Sequence, residues 1–332
     1  IVEPMLDPAA EEWAKRRTFH HSLYPADRIA KEREVSVSVC LPARECGGTV
    51  GEIAGALARL REMGAIDELV VVDAASADGT ARVAEAAGAK VVQESELMPE
   101  TVPDLGPVLG KGDAMWRALS VLSGELVMFL DADTEGFSEH FATGLLGPLV
   151  CEPEIDFVKA FYRRPFEQDG ISLPEGGGRV NHLMARPALS LFYPPLGAVR
   201  QPLAGEVAAR RELLERIPFA TGYGVEVAML IDVWHEVGLD GIAQVDLELH
   251  RNRHQPMAAL SEMSETVLAA IVRRLVSEGR LSGEGIAGGG GGGAPRDSGN
   301  GRLGQPGLGW EGCEAGAYVT TERPPYASLM SR

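Results

Sequence analysis

Leu126-Val127-Met128-Phe129-Leu130 is an unbroken apolar run that passes straight into Asp131-Ala132-Asp133. A strand with no polar alternation is buried on both faces, which is the pattern of a parallel sheet covered by helices on either side. In such sheets ligands bind outside the carboxyl ends of the strands. Two carboxylates at that edge are costly unless a cation meets them. A hard divalent ion, Mg²⁺ or Mn²⁺, bridging to nucleotide phosphates suits them best. A solvated acidic turn capping the next helix is the plainer reading of the pair taken alone, and the remainder of the chain decides between the two.

The first half alternates as such a sheet requires. Residues 35–41, 68–73, 90–93 and 125–130 have strand composition, and 49–63, 80–87 and 111–122 have helical spacing. The βαβαβ order predicts an α/β fold with a mostly parallel, doubly wound sheet. Further on, 155–162 and 242–249 read as strands and 185–191 and 226–237 as helices. A long amphipathic stretch, 255–278, carries Leu260, Met263, Val267, Ala270, Ile271 and Leu275 on one stripe. It is expected to dock on its own domain or on a sister subunit, so a homodimer is the expected assembly. The predicted organisation is an N-terminal extension (1–34), a nucleotide-binding half (35–133), an acceptor-binding half (134–254), the long helix (255–278) as a helical C-terminal extension, and a glycine-rich flexible tail (279–332).

Charge narrows the partners. A net charge of −17 over 332 residues argues against nucleic acid and anionic membranes. No apolar run is long enough to span a bilayer. The cysteines, Cys40, Cys46, Cys151 and Cys313, show no metal-ligand spacing, as expected of reduced thiols in a cytoplasmic protein. Positive charge for a phosphate must therefore be local, and the chain places it at loop ends.

Gly110-Lys111-Gly112 opens a helix, where glycine lets backbone approach a ligand and the helix end favours anions. It is not a Walker A loop, because the spacing to Gly106 is short and Gly112 replaces the required hydroxyl residue. Lys159, Arg163 and Arg164 crowd the end of a strand, and Gly176-Gly177-Gly178 leads into a helix through Arg179 and Asn181. Both suggest a second anion site, with a surface salt-bridge cluster as the plainer account of Arg163 and Arg164. Asp73 ends a strand and could accept from a base or ribose, while Asp78 and Thr80 behind it could simply cap a helix. Glu226, after Gly222-Tyr223-Gly224, suits the first turn of its helix. His250 follows a strand among polar neighbours, where a metal role is plausible.

Taken in order, ELVMFLDAD, VVVDAASADGT, GKGDA, VKAFYRRP, GGGRV, GYGVE and HRNR closely resemble the glucosyl-3-phosphoglycerate synthase family, with its mannosyl-3-phosphoglycerate synthase relatives. The resemblance spans residues 35–278, and its most specific parts are GGGRV, GYGVE and HRNR. It implies a retaining glycosyltransferase of GT-A fold that moves a hexose from a nucleotide-sugar donor, UDP-glucose or GDP-mannose, to the 2-hydroxyl of 3-phosphoglycerate. It also implies a divalent metal, Mg²⁺ or Mn²⁺. Carried over by position, Pro42, Ala43, Glu45 and Asp73 would hold the donor's nucleoside and Lys111 its diphosphate, with Asp131 nearer the ribose or supporting the metal ligand and Ala132 also on the donor. Asp133 and His250 would bind the metal. Gly178, Arg179, Asn181, Asn252 and Arg163 would hold the acceptor. Tyr223 and Glu226 would face the sugar or acceptor, joining Asp131 and Lys111 as catalytic candidates. The family usually reads PALNEE and DSGSTDD where this chain has 42–47 and 73–79, which leaves the donor's base open. A sugar nucleotidyltransferase, a sugar-nucleotide sensor, and a transferase acting on lipid or polysaccharide are the rivals.

Overall fold

Residues 126–130 are at most 1% exposed and split between two cores. Val127 and Phe129 point into one, and Leu126, Met128 and Leu130 into the other. Each such side chain contributes about 1.5–3 kcal/mol by burial, so the strand that carries the acidic pair is anchored from both sides. The computed structural model describes residues 6–98, 106–168, 171–173, 176–252, 255–282 and 321–330.

In chain order the strands are β1 (Thr18–His20), β2 (Val37–Ala43), β3 (Glu68–Asp73), β4 (Lys90–Gln93), β5 (Leu126–Phe129), β6 (Phe157–Arg163), β7 (Phe166–Gln168), β8 (Ile171–Leu173), β9 (Val207–Arg210), β10 (Phe219–Ala220), β11 (Ile242–Leu249) and β12 (Glu322–Arg323). The helices are α1 (Pro8–Arg16), α2 (Ala26–Glu32), α3 (Val50–Glu62), α4 (Thr80–Ala86), α5 (Lys111–Ala118), α6 (His140–Cys151), α7 (Arg186–Phe192), α8 (Arg211–Arg216), α9 (Val225–Val237), α10 (Met257–Ser277) and α11 (Ala327–Met330). Eight strands form one sheet in the order β1-β11-β6-β9-β5-β2-β3-β4. All neighbours are parallel except β9, which runs antiparallel to both β5 and β6. Helices α5, α9 and α10 cover one face, and α3 and α6 the other. The expected mostly parallel α/β sheet is what the chain forms, and it is continuous across the boundary drawn at 133/134.

The sequence reading passed over β9. Its residues, Val207-Ala208-Ala209-Arg210, have weak strand propensity, and alanine is what the space between β5 and β6 admits. Because β9 runs against its neighbours, its amino end meets their carboxyl ends. Gly205 and Glu206 are thereby delivered to the ligand edge.

Two boundaries need correction. Residues 1–34 are no mere extension: β1 pairs with β11 at the sheet edge, and Trp13, 1% exposed, donates its indole N–H to the Ile242 carbonyl at 2.8 Å. Nor is all of 279–332 a free tail. Strand β12 pairs with β10, the Trp116 indole donates to the Pro324 carbonyl at 2.8 Å, and Tyr326 is buried edge-on against Trp116. Arg323 donates to both oxygens of Asp113, at 2.7 and 2.6 Å, and Asp113 is fully buried and also bound by Arg117. The run Gly288 to Gly293 lies outside the described residues. Helix α10 packs Val267, Ala270, Ile271 and Leu275 into the protein's own core.

Candidate active site

A cleft of about 890 Å³ opens at the carboxyl edge of the sheet, with Ala43, Lys111, Asp131, Asp133, Arg179 and Tyr223 among its walls. Lys111 stands at the start of α5 and donates to Asp131 Oδ1 at 2.5 Å and to Glu226 Oε1 at 2.9 Å. Burial disfavours the ammonium, but the two carboxylates outweigh it and hold the Lys111 pKa well above the ordinary lysine value. The lysine is therefore a fixed positive charge. Its flanking glycines also serve packing, and Gly110 lines the cleft as well. Gly110 has φ +96° against Gly222, and a Cβ on Gly112 would lie 1.9 Å from the Ala220 carbonyl oxygen. At Gly205 a Cβ would fall 2.3 Å from Asp131 Oδ1, so a larger residue there would displace that carboxylate.

Asp133 and His250 converge because the segments that carry them are tied together, Glu135 N–H donating to the Arg251 carbonyl at 2.9 Å. His250 is 1% exposed and stacks on Tyr162 with ring centres 4.3 Å apart. Its Nε2 lies 2.9 Å from Glu206 Oε1 and 3.1 Å from Thr134 Oγ1. The Tyr162 hydroxyl donates to Glu206 Oε2 at 2.8 Å. Burial opposes ionisation of Glu206, yet His250, Tyr162 and the Lys111 charge overcome it and bring its pKa down to about 2. With Glu206 as the anionic acceptor for Nε2–H, the lone pair belongs to Nδ1. That atom is buried and has no hydrogen-bond partner among the described residues. A carboxylate behind one ring nitrogen and a bare second nitrogen is the arrangement of a metal-ligating histidine. Burial, and then the Asp131 charge, raise the pKa of Asp133, a repulsion that a cation would relieve. These residues fit a divalent ion.

The nucleoside candidates gather at the ends of β2 and β3. Asp73 is 1% exposed; its Oδ2 accepts from Ser76 N–H and Gln93 Nε2–H, each at 3.1 Å, while Oδ1 has no partner among the described residues. Its neighbours Val72 and Ala74 line the cleft with Pro42, Ala43 and Glu45. Glu45 is committed in part to the fold, accepting from Ala77 N–H at 2.8 Å. The Ala132 carbonyl accepts from Thr49 Oγ1 at 2.6 Å. Gly79 holds the N-cap position of α4, and Asp78 just before it satisfies the helix's first N–H, its Oδ1 accepting from Thr80 at 3.0 Å.

Opposite, Gly178, Arg179, Asn181, Tyr223 and Asn252 line the same cleft. Arg179 lies over the Phe166 ring at 5.1 Å and donates to the Gln255 carbonyl at 3.0 Å. Asn181 spends its amide on the 200–203 loop, donating to the Arg200 carbonyl at 3.2 Å and accepting from Leu203 N–H at 3.4 Å. The expected trio of cations separates. Lys159 is buried, donates to the Ala204 carbonyl at 2.8 Å, and is pushed down to about 8 by burial. Arg163 is exposed and lines an adjoining cavity of about 640 Å³ instead of the main cleft. Only Arg164 reaches the cleft, where it donates to Asn252 Oδ1. Sequence reasoning missed Glu206, Tyr162 and Thr134. Glu206 had no signal of its own, because its place depends on the unpredicted β9.

No family model matches the chain. Individual proteins do. The glucosyl-3-phosphoglycerate synthase of Petrotoga mobilis is 41% identical over 272 residues, covering 80% of this chain and 82% of that protein. The crystal structure of mannosyl-3-phosphoglycerate synthase from Rubrobacter xylanophilus superposes with a TM-score of 0.76 at 46% identity, over 84% of this chain and 87% of that one. The Mycobacterium tuberculosis glucosyl-3-phosphoglycerate synthase, in complex with Mn²⁺, UDP-glucose and phosphoglyceric acid, superposes with a TM-score of 0.73 at 34% identity, over 94% and 98% of the two chains.

Proposed function

The chain belongs to the glucosyl-3-phosphoglycerate synthase family of glycosyltransferases, and from that premise we propose that it transfers glucose from UDP-glucose to the 2-hydroxyl of 3-phosphoglycerate with retention of anomeric configuration. The observation that carries this reading is one cleft with a metal-ready acidic end, Asp133 backed by His250, and an anion loop, Gly178-Arg179, in its wall. In such a pair of sites a diphosphate and a phosphorylated acid can be held together.

The chain's own groups divide the chemistry. Asp73 Oδ1 is the free acceptor for an N–H of the base, and uracil offers one. Asp133 and His250 Nδ1 would hold Mg²⁺ or Mn²⁺, which neutralises charge on the departing diphosphate. Lys111 adds a fixed positive charge on the same leaving group, and Glu226 and Asp131 hold its ammonium in place. Arg179 and Asn252 orient the acceptor so that its hydroxyl meets the anomeric carbon. The bond from that carbon to the diphosphate breaks, the bond to the acceptor oxygen forms on the same face, and the hydroxyl proton passes to the diphosphate oxygen. Tyr223, 55% exposed at the cleft wall, would cover the sugar.

GDP-mannose is the second reading, supported by the departures at 42–47 and 73–79 and by the likeness to the mannosyl enzyme. Among the described residues no helix is long and apolar enough to cross a membrane, in keeping with a small acceptor. A homodimer through α10 would use its exposed Met257 and Leu268. Incubating the protein with Mg²⁺, 3-phosphoglycerate and each donor in turn tests the proposal. A glycoside from UDP-glucose is expected, and no glycoside from either donor overturns it.

A further inference from the structure

At the far edge of the sheet from the nucleotide end, His20 closes β1 and His21 opens the turn that follows. Parallel pairing sets His20 against Asp246 of β11, so Glu248 arrives at the same corner. His20 Nε2 lies 3.5 Å from Glu248 Oε1, and His21 Nε2 lies 3.6 Å from the same oxygen. All three donor atoms are within 4.8 Å of one another. These separations are long for a hydrogen bond, which runs to about 3.2 Å. They are close to the roughly 3.3 Å between two ligands of a tetrahedral ion with bonds of about 2.0–2.1 Å.

The side chains are set up for that role independently of the distances. His21 Nε2 is buried and has no hydrogen-bond partner among the described residues. Left so, it costs about 1–3 kcal/mol. The His21 ring is held against His140, centre to centre 4.3 Å, and His140 is itself fixed by Ser138 Oγ at 2.5 Å and the Leu247 carbonyl at 3.2 Å. Behind His20, Ser22 can serve either tautomer. Its N–H donates to a bare Nδ1 at 3.2 Å, and its hydroxyl can accept from a protonated Nδ1 at 2.8 Å, which frees the Nε2 lone pair. Glu248 adopts φ +65°, a left-handed conformation rare for a glutamate, at an irregularity where the β11–β6 register shifts.

We propose that His20 Nε2, His21 Nε2 and the Glu248 carboxylate form a second metal site, distinct from Asp133 and His250, that takes a borderline divalent cation, Zn²⁺ in preference to Mg²⁺, with one position left open. Two imidazoles and one carboxylate suit Zn²⁺, whereas Mg²⁺ prefers oxygen ligands throughout. The site staples the end of β1 to the end of β11, two residues before His250. The two sites would sort metals by donor type.

The test uses the full-length protein with Asp133→Asn as background, so that the cleft does not compete. Zn²⁺ is titrated against a chromophoric chelator, and Co²⁺ is added separately to read the visible bands of tetrahedral coordination. Asp133→Asn is expected to bind one Zn²⁺ tightly and to develop the Co²⁺ bands. Adding His21→Ala, His20→Ala or Glu248→Gln is expected to weaken Zn²⁺ by more than about 100-fold and abolish the bands, with unchanged far-ultraviolet circular dichroism. His20 is 43% exposed at its side chain, so its variant decides the matter if His21→Ala fails to fold. Failure of Asp133→Asn to bind Zn²⁺, or wild-type Zn²⁺ affinity in the added His20→Ala and Glu248→Gln variants, overturns the proposal.

Discussion

Glu206→Gln isolates one charge. Glutamine occupies the same volume and can keep both contacts, its carbonyl accepting from His250 Nε2–H and its amide donating to the Tyr162 oxygen. What disappears is the negative charge, at a residue 1% exposed and 2.9 Å from the imidazole. That charge fixes the His250 tautomer and makes Nδ1 a stronger ligand. Losses of such carboxylates behind a ligating histidine cost about 10–100-fold in metal affinity, or about 1.4–2.7 kcal/mol. Titrating Mn²⁺ into the UDP-bound protein, followed by electron paramagnetic resonance, measures this directly without any turnover. An Mn²⁺ dissociation constant within about twofold of wild type, in a variant with normal circular dichroism, would refute the assignment of His250 as a ligand oriented by Glu206. The pH dependence has a definite sign. The Glu206 carboxyl is depressed from its ordinary value to about 2, so its contribution to stability is fully present above about pH 4.5 and is lost as pH falls toward 2. Loss of metal affinity between pH 7 and 5 would therefore not come from Glu206.

Other outcomes follow from the same geometry. Lys111→Met leaves Asp131 and Glu226 without their shared counter-ion, and kcat/KM should fall by about 10²–10³-fold in steady-state assays. Arg179→Ala should raise KM for 3-phosphoglycerate well before it changes KM for the donor, as substrate-saturation curves would show. Arg323→Ala breaks a buried pair while Asp113 keeps Arg117, and urea denaturation should register a loss of about 3 kcal/mol. Gly112→Ala drives a methyl group to within 1.9 Å of the Ala220 oxygen. A clear drop in thermal midpoint should accompany it even with no ligand present.

What could be foreseen from sequence tracks how local each cause is. The run 126–130 announced β5, and the alternation before it announced the parallel half, because periodicity and burial are written in neighbouring residues. The acidic pair, Lys111 and Arg179 stand out by local motif and Tyr223 by the family resemblance, and the structure brings all of them to one cleft. Glu206 was invisible because an alanine-rich strand gives no strand signal and its antiparallel direction depends on the finished sheet. Lys159 and Arg163 look alike beside Arg164 and share one face of β6 by alternation, yet their places along the strand separate them: Lys159 is buried between neighbouring strands, and Arg163 is exposed at the strand's end beside a different cavity. The glycines around Lys111 also meet a packing demand that no local pattern reveals, since they let the chain's own backbone at 220–222 come close.

The docking of residues 321–329 makes helix α5 depend on a segment 210 positions further along the chain. The buried Asp113 lies two residues from Lys111, and its second arginine comes from position 323. A ribosome delivers that arginine long after the helix that needs it. Until it emerges, the helix bearing Lys111 holds a buried carboxylate short of one counter-ion, and the cleft has its parts without its last fastening. Domains fold largely in the order of synthesis; here the nucleotide end of the sheet can form early, while helix α5 gains its second counter-ion only once residue 323 has been made. A nascent chain that stops before residue 323 would thus hold much of its sheet while the helix that bears Lys111 is less firmly fixed.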